Sequence, residues 1–410
     1  MDIRSPKRRA IGTAAVAGII VVIVVVAGVA GYFLLTGTGP VATSSTTTTS
    51  STTSSTSSTN PAVAQYLSGL PNYYPANYST ILQNAMQEGK LVIYASFVQG
   101  NFGPVVAAFQ QKYPFIQVQW VNMPSATTLT RYQQEQGAGK PTTDIVLNNS
   151  PADSYNVAIN QSQAIRYCSP EQSYFPANLN AKCQVFSPLL SFQVFMVNTA
   201  KVPKSQMPTG WVSLDNLVKA NSSFWNGKVG GYNFGVAVTG LPPAYSLKYG
   251  QSTVLSWFTT LKQYSGYQQF TSAALAGGEV VSGQLYCALG ALAILEPLHE
   301  QAPTTTQIVF PSEGTYGYPA QMFITKAAAN PYAAMLFVDF YLSQVGQGVQ
   351  LAAYYASART DLPAQISKFT YANIQNLTAG AIVFDTFPPS YNATYADSVD
   401  KAWTQAMSSG

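Results

Sequence analysis

Between Tyr78 and Ser150 short apolar runs alternate with stretches of helical periodicity, and few folds accommodate that order. Ser79–Gln87 is amphipathic at helical spacing, and Gly89 supplies its stop. Leu91–Ala95 reads as a buried strand ending at Ser96. Phe102–Lys112 returns to helical spacing, with Pro104 tolerable in a first turn and Pro114 as a stop. Phe115–Val121 suits a strand, with Ile116, Val118 and Trp120 in alternation. Thr127–Gln136 is helical and closes on Gly137-Ala138-Gly139, so the following Lys140 marks a helix end and not a phosphate loop. Asp144–Leu147 is a short strand running into Asn148-Asn149-Ser150, where Ser150 is placed to cap a helix opening at Pro151. This order predicts an α/β fold, a parallel sheet with helices on both faces. Such sheets take ligands at the carboxyl ends of their strands, here Ser96 and Phe97 together with Asn148, Asn149 and Ser150.

The first sixty residues obey other rules. Arg4, Lys7, Arg8 and Arg9 precede an uncharged apolar run, Ala10–Leu35. As a helix, its roughly 25 residues reach about 37 Å, enough to cross a hydrocarbon core of about 30 Å. Residues 1–9 are expected to be a cytoplasmic basic segment, and 10–35 a single transmembrane helix serving as anchor or signal. The bulk of the chain then lies outside the cell. The Lys7-Arg8-Arg9-Ala10 border resembles archaeal pilin-type signals, in which the apolar helix survives cleavage. Thr43–Thr59 is unbroken Ser and Thr, so residues 36–60 read as an unfolded linker. Sequons at Asn77, Asn148, Asn160, Asn221, Asn376 and Asn392 fit an exported glycoprotein.

Composition narrows the chemistry. The chain carries 20 bases and 16 acids, of which residues 1–60 hold four bases and one acid. The remaining 350 residues are left with 16 minus 15, a net charge of +1, which speaks against nucleic acid as partner. Charged residues make up only 9% of the chain, against about 25% in ordinary domains. Hydroxyls and amides supply the polarity, as suits a surface facing an acidic exterior, where carboxylate pairs fail. One histidine and three cysteines cannot build HExxH or paired CxxC zinc sites, and a catalytic triad would have to use His299. No metal, cofactor or catalytic residue is expected. Cys168 and Cys183 are expected to pair outside the cell, closing a loop worth about 3 kcal/mol. Cys287, inside the apolar run Leu285–Leu289, reads as a buried small hydrophobe.

Several segments resemble the extracellular solute-binding proteins of ABC importers. Early ones are Glu88-Gly89-Lys90-Leu91-Val92-Ile93-Tyr94, Phe109-Gln110-Gln111-Lys112-Tyr113-Pro114, Thr143-Asp144-Ile145-Val146 and Phe195-Met196-Val197-Asn198-Thr199. Later come Val309–Thr315, Asn330–Ala334, Phe337–Ser343, Gly346-Gln347 and Arg359-Thr360-Asp361-Leu362-Pro363. The ordered set resembles the branch with a type II, ferric-iron-binding-protein-like fold. The resemblance implies two α/β lobes, residues 61–191 plus 319–410 and residues 192–318, joined by crossings near Phe192–Asn198 and Ile308–Phe323. It implies capture without catalysis, the lobes closing by a hinge over a small solute that passes to an ABC permease. Contacts are implied from the loop after the first strand, Asn148–Ser150, Thr239–Tyr245, Gln284–Tyr286 and Thr315–Tyr318, with Thr239, Tyr245, Tyr286 and Tyr316 as candidates. Iron is expected less than a sugar, another polar organic solute or an anion. The tandem tyrosines of the iron-binding branch are matched only by Tyr286-Cys287, while Tyr354-Tyr355 and the face Ala334, Phe337, Val338 and Leu342 read as core packing. The alternatives are an exported glycan-acting hydrolase, using Glu279, Glu296 or Glu300, and a structural cell-surface glycoprotein.

Overall fold

Gly89 ends the first helix of the alternation as its freedom at positive φ allows: φ is 61° and its N–H donates to the Ala85 carbonyl at 3.0 Å. The structure, a computed structural model, describes residues 61–97, 99–140, 142–232, 241–384 and 393–408. The basic segment, apolar run and Ser/Thr linker of residues 1–60, and the candidates Thr239 and Asn392, lie outside the described residues.

Helices α1 (Pro61–Leu67) and α2 (Tyr78–Glu88) lead into β1 (Lys90–Ala95), α3 (Gln99–Lys112), β2 (Gln117–Asn122) and α4 (Ser125–Gly137). Then come β3 (Ile145–Asn148) and the short α5 (Pro151–Tyr155), which runs into a π-helical turn over Asn156–Asn160. Two local expectations fail. Helix α3 starts at Gln99, so Pro104 sits in its second turn and not its first. Ser150 does not cap α5 with its side chain; Asn148 Oδ1 instead accepts from the Ser150 N–H at 2.6 Å.

Beyond a loop closed by the Cys168–Cys183 disulfide, with Cα atoms 4.6 Å apart, runs the long strand β4 (Phe186–Asn198). It is followed by α6 (Trp211–Ala220), α7 (Ser222–Trp225), β5 (Val229–Tyr232), α8 (Leu241–Tyr249), α9 (Gln251–Ser265) and β6 (Gln268–Phe270). Next are α10 (Ala273–Val281), β7 (Cys287–Ala291), α11 (Leu292–Gln301), β8 (Thr306–Val309) and β9 (Thr315–Ile324). The chain ends through α12 (Pro331–Leu342), α13 (Gln344–Leu351), α14 (Tyr371–Leu377), β10 (Ile382–Phe384) and α15 (Ala393–Ser408). Cys287 is buried with a free thiol, which burial pushes well above its ordinary range.

The sheet order is β2-β1-β3-β9-β4-β7-β5-β6. Strand β4 belongs to two lobes. Its first half pairs antiparallel with β9, from Leu189 opposite Ala320 to Phe192 opposite Gly317. Its second half pairs with β7, from Gln193 opposite Ala291 to Val197 opposite Cys287, and with β8. The first lobe therefore carries β2, β1, β3 and β9, and the second β7, β5, β6 and β8. Gly317 is obligatory at the passage, because a Cβ there would lie 2.7 Å from the Phe192 ring and 2.9 Å from Phe384.

Several residues of the resemblance segments hold the first lobe together. Asp144 accepts from the Val92 N–H at 2.8 Å and from Asn330 at 2.8 and 3.0 Å, tying β1 and β3 to the start of α12. Glu88 accepts from the N–H groups of Tyr332 and Ala333, placing a carboxylate on the positive end of α12. That helix is buried around most of its circumference, including Leu336, Phe340 and Tyr341, and not on one face alone. Buried Arg359 bridges Glu171 at 2.5 Å and Asp361 at 2.6 Å and lies over the Tyr174 ring.

The C-terminal helix departs from the expected lobe. Helix α15 packs on α8 and α9 of the second lobe, with Trp403 edge-on to Phe258 at 4.0 Å. Among the described residues no helix is long and apolar enough to cross a membrane. Of the sequons, Asn77, Asn160 and Asn376 are exposed, and Asn221 is half-buried with its side chain accepting from the Phe224 N–H. Asn148 is fully buried and its amide donates to the Ser125 carbonyl at 2.8 Å, so the folded chain cannot carry a glycan there.

Candidate functional site

Strand register decides where the two lobes can share a ligand. In the first lobe β1, β2 and β3 run parallel, and the carboxyl end of β3 brings Asn148 opposite Gln321 of β9. In the second lobe β5, β6 and β7 run parallel, and the carboxyl end of β7 brings Ala291 opposite Gln193 of β4. Both carboxyl ends therefore converge on the passage formed by Phe192–Gln193 and Gly317–Tyr318.

On the first-lobe side the expected residues come together. Ser96 Oγ accepts from the Asn149 N–H at 2.9 Å, and the Ser96 N–H donates to Leu147 at 3.0 Å. The Phe97 carbonyl accepts from Trp120 Nε1 at 3.2 Å and Asn122 Nδ2 at 2.6 Å. Its ring lies 5.2 Å from Phe102 and 6.0 Å, edge-on, from Tyr355. Asn149 Oδ1 is buried with no hydrogen-bond partner, whereas both ends of the Asn148 amide are committed to the turn. Asn149 Oδ1 therefore has capacity left for a ligand, and the Asn148 amide has none.

The tyrosine candidates fare differently. Tyr316 and Tyr245 are fully buried, with rings 6.2 Å apart. The Tyr245 hydroxyl accepts from Trp211 Nε1 at 3.2 Å and donates to the Gly314 carbonyl, and burial pushes its phenol above the ordinary range. It packs the second lobe. Tyr286 is misplaced altogether: it precedes β7 and its carbonyl accepts from the Asn198 N–H at 2.9 Å, at the far end of β4 from the passage. There it packs on Phe224 and under Lys228. The residue that does reach the passage is Ala291, followed by Leu292, Ala293 and Ile294 at the start of α11. The rule that selected Ser96, the first residue past a parallel strand, would have selected this segment had β7 been recognised. Tyr318, inside the expected Thr315–Tyr318 segment, stacks on Tyr316 at 5.8 Å and is raised by burial to about 12, and Tyr355, read as core packing, lies edge-on to Phe97 at 6.0 Å.

Four side chains bridge the lobes. Helix α11 packs on β4, β7 and β8 of the second lobe, while Tyr354 and Lys368 belong to segments packed on the first. Tyr354, in the left-handed region at φ 64°, donates its hydroxyl to Glu300 at 2.5 Å. Lys368 reaches Glu300 at 3.1 Å and also pairs with buried Glu296. Desolvation would raise the Glu300 carboxyl, but hydrogen bonds from Tyr354 and Lys368 hold it below the ordinary range. Tyr354 therefore sits at a lobe junction and not in a core, and two of the acids proposed for hydrolysis are occupied as bridge partners. The third, Glu279, stands on α10, and His299 Nδ1 meets Thr306 Oγ1 at 2.8 Å. Among the described residues no three His, Cys, Asp or Glu side chains cluster in a way that could hold a metal ion.

Known proteins supply the remaining comparison. The family model described as bacterial extracellular solute-binding protein matches residues 105–376. The fold is similar to the substrate binding protein of an ABC transporter from Agrobacterium tumefaciens, with TM-score 0.67 and 18% identity over 79% of this chain and 97% of that one. It is also similar to AfuA from Actinobacillus pleuropneumoniae, solved with fructose-6-phosphate, with TM-score 0.64 and 18% identity over 78% and 99% of the two chains. Iron-bound HitA from Pseudomonas aeruginosa gives TM-score 0.63 and 18% identity over 77% and 99%. No curated protein sequence matches the chain. With two lobes meeting at a shared strand and two-thirds of its length matched, the chain belongs to the bacterial extracellular solute-binding proteins.

Proposed function

We propose that the chain captures a small organic solute between its lobes outside the cell and delivers it to an ABC permease, without covalent chemistry. The observation carrying this reading is the pairing of β4, which passes from one sheet to the other between Phe192 and Gln193. A strand continuous across two lobes gives a hinge whose bending needs no hydrogen bond inside either sheet to break. In this reading one lobe comprises residues 61–191 with 319–384, and the other 192–318 with 393–408. Ser96, Phe97, Asn149, Tyr318 and Tyr355 face the solute from the first lobe, and the Ala291–Ile294 segment faces it from the second. The neighbours solved with iron and with fructose-6-phosphate show how widely ligands vary on this fold.

Residues 10–35 tether the protein with its amino terminus inside, and the Ser/Thr linker sets the lobes off from the membrane. Asn77, Asn160 and Asn376 are the accessible glycan sites. Cells lacking the chain should lose high-affinity uptake of the solute that the purified protein binds. Re-expression of the full chain should restore uptake, and a version lacking residues 10–35 should restore much less. Unchanged uptake in the deletion strain would refute delivery.

A further inference from the structure

We infer that the solute lays a ring with an apolar face and a polar rim against Tyr355, and that the turn at Tyr354 couples this contact to lobe closure; this rests on the capture reading above. The segment is anchored where the lobes part. Leu190 of β4 and Ala356 exchange backbone hydrogen bonds at 3.0 and 3.1 Å, close to Phe192, where β4 leaves the first sheet. Gln350 Nε2 reinforces the anchor by donating to the carbonyls of Pro188 at 3.2 Å and Ala356 at 3.0 Å. Between Gln350 and Ala356, Tyr354 is held at φ 64°, a left-handed conformation that is costly for a residue other than glycine and persists only where its surroundings enforce it.

That turn sends two neighbouring side chains to different places. Tyr354 reaches across to Glu300 of the second lobe. Tyr355 stays in the first lobe, half-buried, edge-on to Phe97 at 6.0 Å and with its ring 6.5 Å from Phe102. Phe102 stacks in turn on Trp120 at 5.0 Å, and the Trp120 indole N–H holds the Phe97 carbonyl. Tyr318, from the passage itself, lies near Tyr355. Phe97, Phe102 and Tyr318 are all buried, whereas Tyr355 keeps open surface.

A half-open ring on a rigid aromatic backing is a platform. A ring-shaped solute buries its apolar face there at little cost in side-chain entropy, because a tyrosine has few torsions to freeze. The rim of the ring finds a polar partner beside it. Asn149 is tied through its N–H to Ser96, the residue before Phe97, and its unpaired Oδ1 can accept from a rim hydroxyl or ring N–H. The class is one of shape and not of charge, since Lys368 and Glu300 stand at the same junction. The anchored turn fixes the two tyrosines relative to each other. A solute that seats Tyr355 therefore also steadies the Tyr354 hydroxyl on Glu300, and occupancy favours the closed arrangement as closure favours occupancy.

Titration calorimetry of the full chain in detergent tests the class, with glucose, maltose, thiamine and cytidine as ring probes against glycerol, citrate, glutamate and putrescine. The expected result is binding within the ring set alone, and the sugar and heteroaromatic arms tell a saturated ring from a flat one. Tyr355→Phe should keep that affinity within about twofold. Tyr355→Leu, which fills the space without a flat face, should weaken it about tenfold at an unchanged thermal midpoint. In stopped flow, Tyr354→Phe should speed dissociation of the same probe about tenfold and leave its association rate within about twofold, because the bond to Glu300 holds only the closed form. Binding of an open-chain probe alone, or of no probe, overturns the ring class and leaves capture to the uptake experiment. Ring affinity untouched by Tyr355→Leu overturns the platform, and dissociation unchanged in Tyr354→Phe overturns the coupling.

Discussion

Asp339 is a carboxyl buried inside an apolar helix. It lies on α12, fully buried, and Oδ2 accepts from the hydroxyls of Tyr78 at 2.6 Å and Tyr167 at 2.5 Å. Desolvation raises its carboxyl to about 7, outweighing the lowering effect of those hydrogen bonds. Because the unfolded chain ionises near pH 4, the native state is the better proton binder between about pH 4 and 7. This group therefore favours folding fully at acid pH and progressively less as pH climbs, by about 4 kcal/mol across the window. Asp339→Asn should raise the thermal midpoint at pH 8 and leave it nearly unchanged at pH 4; an equal loss at both would contradict the assignment. The low charge of the chain pointed to acid tolerance, but not to this carboxyl, since its partners Tyr78 and Tyr167 lie 261 and 172 residues away in sequence. Asn148 misled in the same way. Sequon and strand-end position both flag it, and only the backbone path shows its amide spent on Ser125 and Ser150.

At the scale of elements, the helix stops and strand runs were legible because they rest on local physics: Gly89 and Gly139 adopt φ of 61° and 67°, and the buried β1 and β3 are continuous apolar runs. Pairing partners were not legible. Nothing local says that β7 begins at Cys287 and ends at Ala291, so Tyr286 was read as facing the ligand when it stands one strand length away. The bridge between α11 and the first lobe is likewise invisible to spacing, since Tyr354 and Glu300 lie 54 residues apart. The bridge should bias the lobes toward the closed arrangement. Tyr354→Phe combined with Glu300→Gln should enlarge the radius of gyration of the solute-free protein and leave the thermal midpoint within a few degrees. Raising salt to 1 M should produce a smaller shift in the wild type, because the Lys368 side chain is half-exposed and screened. An unchanged radius in the double variant would show the bridge to be ornamental.

At the scale of the molecule, the fold reads as two α/β units sharing β4, with the passage lined by Phe192, Gly317 and Tyr318. The α/β class followed from the alternation in the first lobe. The lobe membership of α15 did not, because its partners lie far away in sequence. Capture requires that the lobes close over a solute. The most direct test is small-angle scattering of the full chain in matched-out detergent, titrated with a solute shown by calorimetry to bind. The radius of gyration should fall and saturate at the calorimetric stoichiometry, with the fall abolished when a disulfide engineered across the lobes locks them. A solute that binds tightly while the scattering curve stays superimposable from empty to saturated would contradict it.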